Sequence, residues 1–504
     1  MALLEHWRSV ILGRATDWRS PIFFFPKDGV LGNTDALALL GIPYTVARLR
    51  YDEFLSYDLS YAALYVVGFI SMALLLRDGL RLSHPLAILG SILFIVSGNI
   101  YQWSIHAQLL AVMTVPLMLW LAIAFVRHVS HGQRFMIIAA GAAVFSTTCL
   151  TGFYVAWFFV LLVAWAAIVA ACMLGFSSAF RRAFGYIKEN AADFAIFALV
   201  LVVALYPFIA LYLPRVMESG PQPLSEAFID GRSQRVWDLV AVGGNNYFWG
   251  DLLGPGHLGG RLLWHPSITP IFGVVMLCTL GCAFAIFRLD DLTHDERTRV
   301  IFVRVFGLGS ILLWLSFLDW GSLKPYTLYY RFVPGGSVVR VPARLLVLFP
   351  AVWVPIVMIG ASWIIQRTNR IRFMVYVALA IMILEQHPAR PQPYTDVVLE
   401  QKRLGPYRAP PKSCASFYVV GRIPRPEESE IHEFYYGPHV DAMILAYRFR
   451  VPTLNGNSTL LPPGWRFTPT FDSKYLDSVH AWISQNKLTN VCSLDLSTGK
   501  WTAG

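Results

Sequence analysis

Four groups of residues in this sequence have types and spacings that suit chemistry on sugars or phosphates. The first is a set of carboxylates near the start: Asp17 in RATDWRSP, Asp35 in GVLGNTDAL, then Asp52, Glu53 and Asp58. A carboxylate can act as a general base toward a hydroxyl or as a ligand for a hard cation. Asp35 follows a glycine-containing turn and precedes the apolar run ALALLGIPYTVARL, so it also suits a helix N-cap; the two roles are compatible. The second group is Tyr101, Trp103, His106 and Gln108 in NIYQWSIHAQLL. His106 and Gln108 could grip a sugar or phosphate, although a histidine at a membrane boundary also serves structure. The third is DWGSLKPYTLYYRFVPGGSVVRVPARL, with Lys324, Arg331, Arg340 and Arg344. Arg340 and Arg344 share a face if a helix begins there, and Pro342 then suits only its first turn. Such a cluster points to an anion, a lipid-linked phosphate or pyrophosphate; contact with lipid headgroups is the plainer reading. The fourth runs from Trp237 and Asp238 through GGNNYFWGD, with Asn245, Asn246 and Trp249, to Trp264 and His265. Rings that stack on sugars and amides that bind hydroxyls fit this composition, and so does an aromatic belt.

Composition decides what scaffold must position these groups. Of 504 residues, 56% are apolar and only 14% charged, with a mean hydropathy of +0.52. Soluble domains carry about 25% charged residues. This excludes an ordinary cytosolic enzyme, a disordered chain and a nucleic-acid-binding module, and indicates a polytopic membrane protein. The net charge of +10 reflects Lys and Arg gathered in cytoplasmic loops, so nucleic acid is not an expected partner. The aromatic content, 16 Trp, 22 Tyr and 34 Phe, suits interfacial belts.

Ten apolar segments approach the length needed to cross about 30 Å of hydrocarbon. They lie near 59–76, 85–98, 107–126, 135–149, 152–175, 191–213, 267–287, 301–318, 345–365 and 371–386, the second, fourth and last being short or polar-edged. Alternate loops carry Arg77 and Arg81; Arg127 and Arg134; Arg181, Arg182 and Lys188; Arg288, Arg297, Arg299 and Arg304; Arg367, Arg370 and Arg372. The positive-inside rule assigns these to the cytoplasm. Residues 1–58, 99–106, 214–266, 319–344 and 387–504 then lie outside, and all four groups with them. Residues 1–58 are outside without a signal peptide, so an upstream membrane helix is expected beyond this chain; a re-entrant or interfacial N-terminal helix is the alternative.

The tail, 387–504, opens on proline-rich linker and reads as a small α/β domain. Strand-like runs lie at Ala415–Val420 and Val491–Leu496, helix-like ones at Asp441–Arg448 and Ser473–Gln485, and PTLNGNSTLLPPGW between them must be loop. Cys414 and Cys492 each sit beside a strand and could pair in an oxidising compartment; two buried thiols are the alternative. The other four cysteines are scattered, with no CxxC and no zinc spacing. No Walker, GxSxG, HExxH or dinucleotide motif occurs. Asp193 and Glu385 lie near span ends, and no acids run through the spans, which argues against an ion-coupled transporter.

The run SPIFFFPKDGVLGNTDALAL, followed by an acid-containing segment and a span, resembles the first extracytoplasmic loop of GT-C-fold membrane glycosyltransferases. HAQLL, LTGFY, WDLVAVGGNNYFWG, LYYRFVPGGSVVRVPAR and DAMILAYRFRVPTLNGNSTLLPPGW follow in the order of a group of bacterial multi-pass proteins with that architecture. The chain departs from the family in lacking its first helix and a paired-acid signature. The resemblance implies transfer of a sugar from a polyprenyl-phosphate carrier to a glycan, lipid or protein acceptor at the outer face of a bacterial cytoplasmic membrane, with inversion. It implies Asp35, then Asp17, as base, with a divalent cation (Mg or Mn) at Asp35 if any is used. Arg340, Arg344 and Arg331 would hold the donor phosphate, and His106, Gln108, Asn245, Asn246 and Trp249 would line the site. The tail domain would cover the site or bind the acceptor. A non-enzymatic flippase or scaffold for lipid-linked glycans, and a surface-polysaccharide polymerase or ligase, are the rival readings.

Overall fold

The computed structural model describes the chain except residues 128–130, 220–231, 236–241, 243–245, 254–268, 287–290, 389–395, 422–430 and 504. The chain divides into two compact units. One comprises Met1–Ala62, Pro207–Gly220 and Pro393–Gly504; the other comprises Ala63–Tyr206 and Pro221–Gln392.

The second unit is helical. Among the described residues, eight helices are long and apolar enough to cross a membrane: Glu53–Gly79, His84–Tyr101, Ala107–Val126, Gly132–Thr151, Phe153–Leu174, Ala191–Glu218, His294–Phe317 and Pro342–Arg367. Two more of the ten expected segments form shorter helices, Pro270–Ala285 and Arg372–Glu385. Their 16 and 14 residues rise about 24 and 21 Å, less than the hydrocarbon thickness. The chain is a multi-pass membrane protein, and burial shows why lipid is required. The apolar window of Ala191–Glu218 has a mean hydropathy of 2.8 and is only 6% buried, so nothing but hydrocarbon suits its surface.

Pro342–Arg367 is the opposite case, with its apolar window wholly buried. Phe349 and Trp353 stack at 4.5 Å, Trp314 packs on Trp353 at 5.5 Å, and the Trp353 indole donates to Ser310 Oγ at 2.8 Å. Small residues let helices meet closely. A Cβ on Gly360 would lie 2.1 Å from Thr279 Oγ1, and one on Gly309 would lie 3.0 Å from the Ala166 backbone nitrogen. Close backbone approach of this kind is how helices associate in lipid.

The basic loops converge at one end of this unit. Arg299 donates to the carbonyls of Leu80 (2.9 Å) and Arg81 (2.6 Å), Arg304 to that of Ala283 (2.9 Å), and Arg127 to that of Asp78 (2.6 Å). These are carbonyls at or just past helix C-termini, where a cation is favoured.

The first unit unites pieces that the sequence reading keeps apart. Strands β1 (Ser416–Val420), β2 (Val491–Asp495) and β3 (Trp501–Ala503) form a sheet in the order β1-β2-β3; β1 and β2 are parallel, β2 and β3 antiparallel. Helices Ile431–Phe449 and Tyr475–Gln485 lie in the crossover between the parallel pair. A disulfide joins Cys414 and Cys492, with Cα atoms 5.6 Å apart. The N-terminal segment is stitched to this domain. Phe24 and Phe25 donate backbone bonds to the carbonyls of Asn455 (3.1 Å) and Thr453 (3.0 Å), and Thr453 donates to that of Ile22 (2.9 Å). Phe23 and Phe24 enter one core with Trp465, Phe467, Tyr475 and Trp482. The expected boundaries at 58 and 387 therefore give way to a shared core, since a small domain gains from every additional buried ring.

The stretch expected to be loop is indeed irregular, yet it runs through the interior. Asn455 is fully buried. Its amide oxygen accepts from the Val419 backbone at 2.9 Å, and its amide nitrogen donates to the Tyr475 hydroxyl at 2.8 Å. Helix Ala2–Ile11 packs on helix Ala38–Ala47. Between them Glu5 accepts from the Tyr44 hydroxyl (2.7 Å) and Arg48 Nε (2.6 Å), and Arg8 lies 3.1 Å away. Glu53 pairs with both Arg48 and Arg448, tying the start of the chain to the tail.

Burial pushes the Glu5 carboxyl up, but the Arg48 and Tyr44 hydrogen bonds outweigh it and hold the group below its ordinary value of 4.5. Its stabilisation is therefore complete above that value and is lost as pH falls through the lower folded one. Glu5→Gln is expected to cost about 1–3 kcal/mol at pH 7, because it removes the carboxylate that accepts from Tyr44 and Arg48 and leaves Arg48 the longer pairing with Glu53. The measurement is thermal unfolding of the detergent-solubilised protein from pH 7 downward. Wild type and variant should converge only as the pH falls through the lowered folded value of Glu5.

Candidate functional site

Three segments distant in sequence meet at one end of the second unit. Helix Gly98–Trp103 leads to His106, which precedes the 3₁₀ helix Ala107–Thr114. The turn at Gly152 joins helices His131–Thr151 and Phe153–Leu174. Pro342 opens a further 3₁₀ helix, Pro342–Val347. Gly152 permits the closest approach: a Cβ there would lie 2.1 Å from the Gln108 carbonyl oxygen. Gly335, at φ 82°, takes the left-handed turn that glycine favours and passes against the Phe153 ring. The Trp157 indole donates to the Pro334 carbonyl at 2.9 Å.

These supports place Arg344 among aromatic faces. Its guanidinium carbon is 5.1 Å from the Tyr154 ring centre and 6.0 Å from that of Trp103. Trp103 in turn stacks on the His106 ring at 5.9 Å. The Tyr154 hydroxyl donates to the Val338 carbonyl (3.3 Å) and accepts from the Arg340 backbone N–H (2.8 Å). Burial, and then the charge of Arg344, pull His106 down to about 4, so its imidazole is neutral at neutral pH. Arg344 Nε is buried without a hydrogen-bond partner, an arrangement that costs about 1–3 kcal/mol until an acceptor arrives. A cation with an unused donor, beside aromatic rings and a neutral imidazole, has the chemistry to accept an anion.

The expected shared helical face of Arg340 and Arg344 does not form. The helix begins at Pro342 with 3₁₀ geometry, so Arg340 precedes it and is held through its own backbone. Arg331 lies exposed on helix Tyr326–Phe332. Tyr154, which the sequence reading did not single out, is the cluster's organiser; LTGFY was its only signal.

The fourth group has a different task. Asn245, with Trp237, Asp238, Trp264 and His265, lies outside the described residues. Asn246 donates to the Glu385 carbonyl at 2.8 Å, and its amide oxygen accepts from the backbones of Phe248 (3.0 Å) and Trp249 (2.9 Å). The Trp249 indole donates to Glu385 Oε1 at 2.8 Å. Glu385, 1% exposed, also accepts from the backbones of Ile271 (2.9 Å) and Phe272 (3.2 Å), capping helix Pro270–Ala285 where its own N–H groups are orphaned. The polar atoms of Asn246 and Trp249 are thus engaged with Glu385 and with the local backbone.

The carboxylates belong to the first unit. Asp17 accepts from Arg19 (backbone at 3.1 Å, Nε at 3.2 Å) and Ser20 Oγ (2.9 Å). Partial burial pushes it up, but these bonds prevail and hold it below the ordinary value, which makes it a weak base. Asp52 accepts from the backbones of Phe54 (2.9 Å) and Leu55 (3.1 Å), capping a helix, and Glu53 is ion-paired. Asp35 is half-buried. Helix Ala38–Ala47 has Leu37 in its N-cap position, two residues beyond the acid. Tyr212 pins the flanking backbone, accepting from Ala36 N at 3.2 Å and donating to the Thr34 carbonyl at 3.0 Å. Among the described residues no three His, Cys, Asp or Glu side chains gather as a metal site, and Asp17, Asp52 and Glu53 are engaged otherwise. Asp17, Asp52 and Glu53 therefore do not form a shared cation site.

No protein-family model and no curated protein sequence matches this chain.

Gly152→Ala would drive a methyl group into backbone at Gln108. A loss of about 2–3 kcal/mol is expected, and with it the seat of Tyr154. The check is thermal unfolding in detergent, with Gly141→Ala, which faces open space, as the neutral control.

Proposed function

We propose that this protein is a membrane glycosyltransferase of GT-C type, which takes a sugar from a polyprenyl-phosphate carrier at the outer face of a bacterial cytoplasmic membrane. One observation carries the reading: the half-buried Arg344 guanidinium, stacked between Trp103 and Tyr154 with its Nε unpartnered. It lies at the start of the span Pro342–Arg367 and beside the starts of the spans Ala107–Val126 and Phe153–Leu174. A lipid-borne phosphate arrives at such a boundary. The end that bears Arg344 is opposite the end that gathers Arg81, Arg127 and Arg299, which suits an extracytoplasmic site under the positive-inside rule.

In this reading Arg344, with Arg340, binds the carrier phosphate and stabilises the charge that grows on it as the glycosidic C–O bond breaks. Neutral His106 and Gln108 offer hydrogen bonds to phosphate or sugar. Asp35 is proposed as the base that takes the acceptor hydroxyl's proton as that oxygen attacks the anomeric carbon. This role rests on the resemblance of SPIFFFPKDGVLGNTDALAL to the family's first outer loop, and it is tested separately from that of Arg344.

Membranes containing wild type, Asp35→Asn or Arg344→Gln are offered radiolabelled polyprenyl-phosphate sugars. Arg344→Gln should weaken donor retention about tenfold or more, the value of a charge-assisted hydrogen bond. Asp35→Asn should retain donor but lose about 10²–10⁴ in turnover. Donor retention with no transfer, indifferent to Asp35→Asn, would favour a flippase or scaffold for lipid-linked glycans. Donor retention unchanged in Arg344→Gln would overturn the phosphate site itself.

A further inference from the structure

Helix Phe176–Glu189 is two-faced, and no residue in it is buried. At 100° per residue, Phe176, Phe180, Phe184 and Ile187 fall on one face with Ala179 and Ala183. They are 66%, 71%, 60% and 46% exposed, and the rings of Phe180 and Phe184 stack at 6.1 Å. Ser178, Gly185 and Glu189 lie on the other face. Arg181 and Lys188 flank one edge of the apolar stripe and Arg182 the other. Three aromatic rings held in water would be a standing penalty, so something apolar covers them.

The connections say what it is. The helix follows the span Phe153–Leu174 after the single residue Gly175, and precedes the span Ala191–Glu218 after the single residue Asn190. Both of its ends are therefore fixed where spans leave the hydrocarbon. Arg134 fastens the second end, donating to Asn190 Oδ1 (2.9 Å) and pairing with Asp193 (2.7 Å). The span that follows is itself almost bare of protein contact. A 14-residue helix reaches about 21 Å. Tethered at both ends to one bilayer surface, it has the plane of the interface to lie in. We infer that Phe176–Glu189 is an interfacial helix that sinks its phenylalanine face into the leaflet and sets Arg181, Arg182 and Lys188 against anionic lipid headgroups. This surface is independent of the proposed transferase site.

The test uses the full-length protein with Cys172, Cys278 and Cys282, which are exposed, changed to serine. Ala183→Cys on the apolar face and Ser178→Cys on the polar face are each labelled with an environment-sensitive fluorophore. The protein is reconstituted in phosphatidylcholine vesicles, and in an equal mixture with phosphatidylglycerol, with and without acyl-chain bromination. The expected result is a blue-shifted probe at 183, quenched by brominated chains at least about twice as strongly as the probe at 178. Phosphatidylglycerol should strengthen the quenching, and Arg181→Gln/Arg182→Gln/Lys188→Gln should abolish that gain. Quenching of the 183 probe by aqueous iodide would place the face in water. Shielding from both iodide and bromine would place it under protein. Either result overturns the inference, and quenching indifferent to phosphatidylglycerol and to the basic residues overturns its anionic part.

Discussion

The second unit depends on one constraint: a backbone in hydrocarbon must satisfy its own hydrogen bonds. The helices follow from that, and their side-chain surfaces then sort by company. Pro342–Arg367 keeps its apolar window entirely inside the protein, whereas Ala191–Glu218 gives almost all of its window to lipid. The buried helix can hold an arginine at its mouth because its start is not bathed in hydrocarbon. Arg344 stands where the 3₁₀ turn Pro342–Val347 meets Trp103 and Tyr154. In the middle of the same helix a guanidinium would cost several kcal/mol with no partner to offset it.

The first unit solves a different problem, that of a small domain with little core. It gathers segments from the beginning and end of the chain around Phe24, Trp465, Tyr475 and Trp482, and locks them with ion pairs. Glu53 is the joint, since it faces Arg48 on one side and Arg448 on the other. Arg48 is also held by Glu5 and Arg448 by the Leu404 carbonyl, so the joint is a small network. The disulfide between Cys414 and Cys492 secures the parallel strand pair at its edge, where a sequence separation of 78 makes closure of the unfolded chain costly.

What could be read in the sequence follows the range of the forces involved. The spans are legible because hydrocarbon demands long apolar runs, and β1 because the β-branched and aromatic run SFYVV stands between turn signals. The union of residues 22–25 with 453–455 was not legible, because nothing local in either segment records a partner more than 400 residues away. The same limit hides the partners of Asn246 and Trp249. Asparagine beside tryptophan suits a sugar site, but the decisive partner, Glu385, lies 136 residues from Trp249 in sequence. Arg340 and Arg344 were read with the wrong helical phase, because i,i+4 spacing gives a common face only in an α-helix, and the turn after Pro342 is 3₁₀. The amphipathic pattern of Phe176–Glu189 was present in the sequence. It is obscured there because its basic residues read first as an orientation signal for the loop.

His106 and Arg344 together limit what chemistry this end of the bundle can perform. Burial and a neighbouring guanidinium pull the His106 imidazole down to about 4, so the ring is neutral at neutral pH. It can donate one hydrogen bond and accept another, as a neutral ring does. The fixed positive charge beside it has the complementary property: it stabilises an anion without exchanging a proton. A phosphate leaving group is compatible with that combination, since it is a weak enough base to depart without protonation at neutral pH. An alkoxide leaving group would need a proton. In the proposed reading the cluster suits a leaving group that departs as a phosphate, and the proton that remains to be managed is the acceptor's.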